Sequence, residues 1–163
     1  MVLLPDGKFV VLSQAFNSTV VLIRFNADGS LATSFGTGGK STATVSDTYF
    51  TDLALQADGR LVAGGSYSGS ATSYFVIARF SANGTPETGY FSPSSIWDVG
   101  TGPYDTLYGI AIAPDGKIVA TGQTVINNHV DTVVTRLNTT GGFDTSFSGD
   151  SRATRRSWWS VGR

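Results

Sequence analysis

The sequence of 163 residues has no cysteine, three lysines and a single glutamate, Glu87. The absence of cysteine excludes disulfides, thiolate metal sites and a cysteine nucleophile. Lysine and glutamate usually cover the solvent face of helices, so their scarcity excludes a helical architecture. The apolar runs are only as long as a strand, which excludes a membrane-spanning helix. With 11 basic and 12 acidic residues, the chain lacks the positive charge by which proteins bind nucleic acids or anionic lipids.

Glycine, threonine and serine supply much of the polarity, with 20, 20 and 19 residues, while 40% of the chain is apolar. That apolar fraction supports a folded protein and argues against wholesale disorder. Residues 1–4 carry no basic segment and run directly into a polar turn, so they do not have the pattern of a signal peptide. We therefore expect a folded protein without membrane insertion.

Two short blocks of sequence occur three times along the chain. The first reads LPDGKFVV from residue 4, QADGRLVA from residue 56 and APDGKIVA from residue 113. The second reads RFNADG from residue 24, RFSANG from residue 79 and RLNTTG from residue 136. Both blocks return after 52 to 57 residues, so the chain holds three copies of one unit.

Each unit is predicted to contain four short antiparallel strands. Asp-Gly and Asn-Gly between apolar runs are strong signals for tight hairpin turns, and each unit has two such turns. The strands are apolar on both faces, which is typical of a small sheet packed between two neighbours. In the second unit the predicted strands are 50–55, 61–65, 75–80 and 95–99, with counterparts at 20–25 and 40–45 in the first unit and at 107–112, 118–122, 133–137 and 152–154 in the third.

These patterns predict an all-β protein, a partial β-propeller of about three four-stranded antiparallel blades. The repeats span approximately 1–45, 46–102 and 103–154, within a propeller region of residues 1–149. Residues 150–163 are expected to form an irregular or truncated tail. The first blade is expected to lack its innermost strand, because the sequence starts at the turn that follows this strand in the other repeats.

The repeated blocks resemble the delta-60 repeat family of bacterial β-propeller-like repeats, whose approximate pattern is PDGKIVVAG, then ARYNADGSLDTSFG, then GK and a strand. Residues 26–36, NADGSLATSFG, and residues 141–147, GGFDTSF, carry the resemblance best, and it covers roughly residues 3–150. The middle copy departs from the pattern at residues 85–93. The resemblance implies a propeller, commonly in secreted or surface proteins of bacteria, and it implies no known catalytic residues.

Three repeats are fewer than the ~4 to 8 blades of closed propellers. Either the chain is a segment of a longer protein, or several copies associate through their open strand edges and complete a ring. We favour the segment, because repeat arrays need enough units for stability. The expected partners are therefore further propeller blades, in the same chain or in another copy.

An aspartate opens a tight turn in each repeat, at Asp6, Asp58 and Asp115. Calcium prefers clustered oxygen ligands, which makes recurring carboxylates a candidate calcium site. Tight-turn geometry, however, itself demands Asp and Gly, and one carboxylate per repeat lacks the dense spacing of a calcium loop. We interpret the three aspartates as turn residues and predict no metal site.

An arginine recurs within the apolar third strand of each repeat, at Arg24, Arg79 and Arg136. A periodic ring of arginines could bind an anion. An arginine in such a place more often pairs with a carboxylate or stacks on an aromatic ring. We therefore interpret these arginines as structural.

No motif supplies a catalytic or cofactor site. His129 is the only histidine and lies in a predicted polar loop. A lone histidine cannot make a multi-histidine zinc site, and a triad would need a nucleophile that no motif supplies. The glycine-rich residues 36–40 lack the spacing of a phosphate-binding loop. Residues 152–163 combine four arginines with two tryptophans, a composition that can bind single-stranded nucleic acid or anionic surfaces. The segment is too short for a supporting groove, so we interpret it as a truncated or imperfect outer strand.

The sequence favours a non-enzymatic propeller segment, a structural or protein-interaction module of a larger bacterial protein that is secreted or at the cell surface. Partner contacts are expected in the variable loops 67–73, 86–93 and 123–131, because loops tolerate change. The alternative is a carbohydrate-binding, lectin-like propeller; a glycan-processing enzyme has less support, since no pair of carboxylates recurs. In a lectin, the sugars would stack on the aromatic rings of Tyr67, Tyr74, Tyr104 and Tyr108.

Overall fold

The computed structural model describes residues 1–15, 19–87, 96–97, 104–149 and 152–156. The described residues form twelve strands and no helix, and thus no segment that could cross a membrane as a helix. The strands are β1 (Val2–Leu3), β2 (Phe9–Ala15), β3 (Thr19–Phe25), β4 (Lys40–Thr44), β5 (Thr48–Leu55), β6 (Leu61–Ser68), β7 (Ser73–Phe80), β8 (Ile96–Trp97), β9 (Asp105–Ile112), β10 (Ile118–Ile126), β11 (His129–Leu137) and β12 (Arg152–Arg156).

Within this described part, the strands form three four-stranded antiparallel sheets, each in simple chain order. The first sheet is β1-β2-β3-β4, the second β5-β6-β7-β8 and the third β9-β10-β11-β12. Each sheet corresponds to one sequence repeat, so each repeat forms one blade. The predicted all-β fold, with about three four-stranded blades of a partial propeller, is confirmed.

The first turn of each repeat is a tight hairpin turn. In the second blade it contains Gly59, whose φ of +84° is a left-handed conformation that glycine adopts without steric cost. Asp58 accepts a hydrogen bond from the backbone N–H of Arg60 at 3.0 Å, as aspartate side chains do in turns. Gly7 and Gly116 have φ values of +81° and +80° at the same place in the other two blades. The tight Asp-Gly turns predicted from the sequence are therefore present in these hairpins.

Both faces of the second blade are buried, because a neighbouring blade covers each of them. Successive side chains of a strand point to opposite faces, so Leu61 packs toward the first blade and Val62 toward the third. One apolar cluster fills each boundary. The first consists of Val10, Val20, Leu22, Phe35, Phe50, Leu53, Leu61, Ala63, Val76, Ala78 and Phe80, and the second of Val62, Phe75, Ile77, Leu107, Ile118, Ala120, Val133 and Leu137.

The innermost position of the first blade is occupied by β1, which has two residues, whereas β5 and β9 have eight each. Leu3 of β1 pairs with Phe9 of β2. The innermost strand that was expected to be missing from the first blade is therefore reduced to this short pairing.

One segment predicted as a loop, 123–131, is mostly strand. β10 and β11 pair along their whole length and leave only Asn127 and Asn128 as the turn, with φ values of +51° and +62°. Two successive left-handed residues make a two-residue hairpin turn, so no longer loop is needed. His129 is consequently the first residue of β11 and does not lie in a loop, and the loop predictions for 123–131 and His129 are wrong.

The loop predicted at 67–73 is also shorter than expected, because β6 continues to Ser68 and β7 begins at Ser73. The weaker outer strand predicted near 95–99 contains β8, which pairs with β7. Residues 152–156 of the predicted tail form β12, which pairs with β11. Of the loop predicted at 86–93, residues 88–93 lie outside the described residues, as do tail residues 157–163.

Candidate functional site

Each boundary between blades is formed by two unlike faces. We call the face toward the next repeat the forward face of a blade, and the opposite face its rear face. At the first boundary, Val10 on the forward face of the first blade meets Leu61 and Ala63 on the rear face of the second. At the second boundary, Val62 on the forward face of the second blade packs with Ile118 on the rear face of the third. Forward faces therefore meet rear faces at both boundaries.

A loop of the first blade lies on a turn of the second. We name residues 32–36 the docking loop of the first blade, and residues 81–84 the receiving turn of the second. Phe35 is fully buried, and a methyl group added at Gly84 would lie 2.8 Å from its ring. Only glycine permits this approach. Two hydrogen bonds complete the contact, from the backbone N–H of Gly36 to the carbonyl of Asn83 at 2.8 Å and from the hydroxyl of Ser41 to the carbonyl of Gly84.

An arginine ties each blade to the receiving turn of the next. The guanidinium of Arg24 lies 4.4 Å from the ring centroid of Phe35 and donates to the carbonyl of Ala82 at 2.8 Å. At the next boundary, Arg79 donates to the carbonyl of Thr139 at 2.8 Å. Ala82 and Thr139 are equivalent, since each lies three residues after its own repeat's arginine. The recurring arginines therefore form the same inter-blade hydrogen bond at both boundaries.

Arg79 and Arg136 also pair with a carboxylate eight residues further along the chain. The Nε atom of Arg79 lies 2.7 Å from Oε2 of Glu87, and the Nε atom of Arg136 lies 2.6 Å from Oδ2 of Asp144. Sequence reasoning missed these two acids, although the shared spacing of eight residues was a usable signal. A second cation shares each carboxylate: Arg60 lies 2.7 Å from Glu87, and Lys117 lies 3.0 Å from Asp144.

Both carboxylates are held in the ionised form. Burial raises the pKa of Glu87, but the hydrogen bonds and charges of its two arginine partners outweigh burial, and the pKa lies below its ordinary value. For Asp144, the hydrogen bond from Ser146 and those from its two basic partners hold the pKa well below the ordinary value. The contacts with arginine are therefore ion pairs at neutral pH.

The first blade lacks this acid. Ala32 occupies the position of Glu87 and Asp144, and its side chain offers no acceptor. The Nε atom of Arg24 is buried and has no hydrogen-bond partner among the described residues. Burial lowers the pKa of Arg24, and the opposing effect of the Asp6 charge does not outweigh it.

A second set of polar contacts joins the blades near their innermost strands. The side-chain amide of Gln14 donates to the carbonyl of Thr48 at 2.6 Å and accepts from the backbone N–H of Phe50 at 2.9 Å. The hydroxyl of Ser66 accepts from the backbone N–H of Leu107 at 2.8 Å. Gln14 and Ser66 both lie eight residues after the turn aspartate, so one position in the repeat supplies both contacts.

The rear face of the first blade has no neighbouring blade among the described residues. Val11 and Ile23 on this face are half-buried, whereas their equivalents in the second blade, Ala63 and Ala78, are fully buried. Val11 and Ile23 are larger than these alanines, and the rings of Phe9 and Phe25 on the same face stack with centroids 5.1 Å apart. Val21 is a further half-buried apolar residue of this open face.

The forward face of the third blade is open in the same sense within the described part of the chain. Val134 is half-buried there, whereas its equivalents Leu22 and Ile77 are fully buried. Val119 is likewise half-buried, whereas Val10 and Val62 at the same position are fully buried. The two ends of the three-blade stack thus expose one rear face and one forward face.

The tyrosines predicted as sugar platforms lie on different strands. Tyr67 and Tyr74 are cross-strand partners whose rings stack on one another, with centroids 6.1 Å apart and planes at 11°. Tyr104 forms a bridge with Ser73 at the start of β7, and Tyr108 lies within β9. Tyr104 and Tyr108 are 54% and 59% exposed. Of the four predicted tyrosines, these two are the exposed ones; Tyr49, which was not predicted, is 65% exposed.

Every repeat has an arginine and, eleven residues later, an aromatic residue, with a tight turn between them in the sequence. Three segments of the chain, residues 4–35, 56–90 and 113–147, match the β-propeller family described as a domain of unknown function, DUF5122. The chain belongs to this family. Each DUF5122 match begins two residues before the turn aspartate and ends eleven residues after the arginine, on the aromatic residues Phe35, Tyr90 and Phe147 respectively.

The DUF5122 matches confirm the resemblance to delta-60 repeats read from the sequence. They also show that the chain is a β-propeller repeat protein, because the family description states that fold. No curated protein matches the sequence. Inferences about the activity and the partners of this DUF5122 chain are therefore drawn from its own residues.

Proposed function

We propose that this chain is a non-enzymatic structural or protein-interaction module of a larger bacterial protein that is secreted or displayed at the cell surface. The observation that carries the proposal is the pair of open faces at the two ends of the blade stack. These faces keep the apolar residues and arginine of the closed boundaries, so they are suited to contact further blades. A blade stack with such ends acts as a scaffold to which more blades are added.

Two kinds of support favour a scaffold. The charged side chains that recur in the repeat, such as Arg79 and Glu87, are engaged in contacts within and between blades. The side chains of the hairpin-turn aspartates accept hydrogen bonds from the backbone of their own turns, as Asp6 does from the N–H of Lys8 at 3.2 Å. The recurring polar residues are thereby used to hold the blades together. The secreted or surface location follows only from the resemblance to delta-60 repeats.

A tandem fusion tests the scaffold role. Two copies joined end to end by a glycine–serine linker should melt ~5 °C or more above the single chain, compared at a concentration at which the single chain is monomeric, because the forward face of the first copy becomes covered. The matched control carries Ile23→Glu in the second copy only, which places a charge on the face that should be buried. Equal melting temperatures for the single chain, the fusion and the control would contradict the proposal.

A lectin-like propeller is the second candidate, and the exposure of Tyr104 and Tyr108 is the observation that favours it. Aromatic rings with an open face stack on the apolar face of sugars. A glycan array probed with the full chain, and repeated with Tyr104→Ala and Tyr108→Ala, tests this role. Binding that both substitutions abolish would favour the lectin, whereas an array without specific binding would remove it.

A further inference from the structure

We propose that two copies of this chain associate head to tail, with the forward face of the third blade of each copy packed on the rear face of the first blade of the other. This inference rests on the proposed scaffold function and names the partner of the two open faces. The occupant is a second copy, because the chain itself carries both halves of the contact that joins its own blades.

The open forward face of the third blade and the open rear face of the first blade are both apolar, like the faces that meet within the chain. At both boundaries within the chain, a forward face covers a rear face and buries it almost completely. The open forward face presents Val119 and Val134, and the open rear face presents Val11 and Ile23, all of them half-buried. Burial of apolar surface is the main favourable term in association, so these faces are stabilised when they cover one another.

The third blade carries a docking loop at residues 144–148. Phe147 is equivalent to Phe35, since both lie eleven residues after the arginine, and the guanidinium of Arg136 lies 4.8 Å from the Phe147 ring centroid. Phe35 is fully buried against the second blade, whereas Phe147 is half-buried. The backbone conformation is also shared, because Ser148 has a φ of +55° where Gly36 has +53°. This loop is preformed in the geometry that the first blade uses for docking.

The first blade carries the matching receiving turn at residues 26–29. Gly29 is equivalent to Gly84 and has nearly the same backbone, with φ values of +86° and +90°. A methyl group at Gly84 would meet the Phe35 ring at 2.8 Å, whereas a methyl group at Gly29 would meet no described atom within 4 Å. In the proposed contact, Phe147 of one copy covers Gly29 of the other. The carbonyl of Ala27, equivalent to that of Ala82, then accepts from Arg136.

The inner-strand contact is not part of this inference. Gln123 occupies the position of Gln14, and the proposed contact assigns it no partner on the second copy. The apolar faces, the docking loop and the receiving turn therefore carry the association.

The number of blades is compatible with closure. The three blades that the described residues form in each copy make six in two copies, within the ~4 to 8 blades of closed propellers. Because the contact joins unlike faces, it is heterologous, and such contacts form a closed ring when the rotation between units closes. Two identical contacts then join the two chains.

Sedimentation velocity of the purified chain over the micromolar range tests the proposal. The expected result is a single species of twice the chain mass of 17.1 kDa. A monomer throughout this range would overturn the inference. Assemblies larger than a dimer, whose mass rises with concentration, would overturn it as well. A monomer would leave the scaffold proposal standing, because the tandem fusion tests that separately.

Variants on opposite faces distinguish head-to-tail packing from every other dimer. Ile23→Glu on the rear face and Val134→Glu on the forward face should each give monomers, while Ser70→Glu in an exposed turn should leave the dimer unchanged. An equimolar mixture of the first two variants should recover a heterodimer, because one contact between them has both faces intact. Failure of the mixture to associate, with each variant folded by circular dichroism, would overturn the proposal.

A milder variant keeps the test decisive if the glutamates prevent folding. Phe147→Ala removes the docking aromatic without placing charge in a face and should weaken dimerisation ~10-fold or more. The control Phe9→Leu preserves an apolar rear face and should retain the dimer. Unchanged association of Phe147→Ala would contradict the docking-loop contact.

Discussion

Arg24 and Ala32 are joined by a backbone hydrogen bond, from the N–H of Ala32 to the carbonyl of Arg24 at 3.0 Å, that recurs between Arg79 and Glu87 and between Arg136 and Asp144. In those two blades the same geometry also brings a carboxylate to the arginine Nε. In the first blade the alanine methyl group stands there instead. The Nε atom of Arg24 is therefore buried without a hydrogen-bond partner in the described part of the chain.

Restoring the acid should stabilise the protein. Ala32→Asp places a carboxylate within reach of both Arg24 and Lys8, the equivalents of Arg136 and Lys117. We expect about 1 kcal/mol of added free energy of unfolding, since a charge-assisted hydrogen bond replaces an unsatisfied donor. Urea denaturation measures it, with Ala32→Asn as the uncharged control. A loss of stability in Ala32→Asp would show that the site cannot hold a carboxylate.

Removing an arginine should weaken a boundary. Arg79→Gln loses the hydrogen bond to the carbonyl of Thr139 and one ion pair with Glu87, at a cost of about 2 kcal/mol. The matched control is Arg60→Gln, whose side chain is 43% exposed and pairs with the same carboxylate. That control should lose less than about 1 kcal/mol. Equal losses in thermal unfolding would argue that the inter-blade bond contributes nothing.

A methyl group on the receiving turn should separate the blades. Gly84→Ala combines left-handed backbone strain with a clash against the Phe35 ring. Gly38→Ala, the control, has a φ of +59° but open space, so it retains only the strain, about 1 kcal/mol. The clash should cost Gly84→Ala about 1 to 3 kcal/mol more, or several degrees in melting temperature. Similar melting temperatures of the two variants would mean that the Phe35 side chain can move away from the added methyl group at no energetic cost.

Acid should destabilise the fold through Glu87 and Asp144. Their pKa values in the folded state are lowered, so their contribution is complete above the ordinary carboxyl pKa of about 4 and is lost as the pH falls through the lower folded values. Urea midpoints at several pH values from neutral to strongly acidic measure the effect. The double variant Glu87→Gln with Asp144→Asn should be less stable at neutral pH and less sensitive to acid. An unchanged acid sensitivity in that variant would assign the effect to other carboxylates.

The repeat sequence alone predicted the strands and most turns, because the signals are local. The Asp58-Gly59 turn between apolar runs needs only a left-handed glycine and a short polar side chain, and both are visible in the sequence. The β10–β11 hairpin was misread for a related reason. The polar residues Gln123 and Asp131 lie in strands, but their polarity is more typical of a loop. The turn between the strands is formed by two left-handed residues, Asn127 and Asn128, and contains no glycine that would mark it in the sequence.

The sequence by itself determined the number of repeats, their blade-like strand order and the apolar character of both faces, since these follow from short-range patterns and their period. Only the tertiary structure decided which groups meet across the blades. Arg24 reaches the carbonyl of Ala82, 58 residues away, because packing of the two sheets brings the docking loop onto the receiving turn. A backbone carbonyl has the same chemistry at every residue, so no sequence pattern shows which carbonyl accepts the hydrogen bond from the arginine.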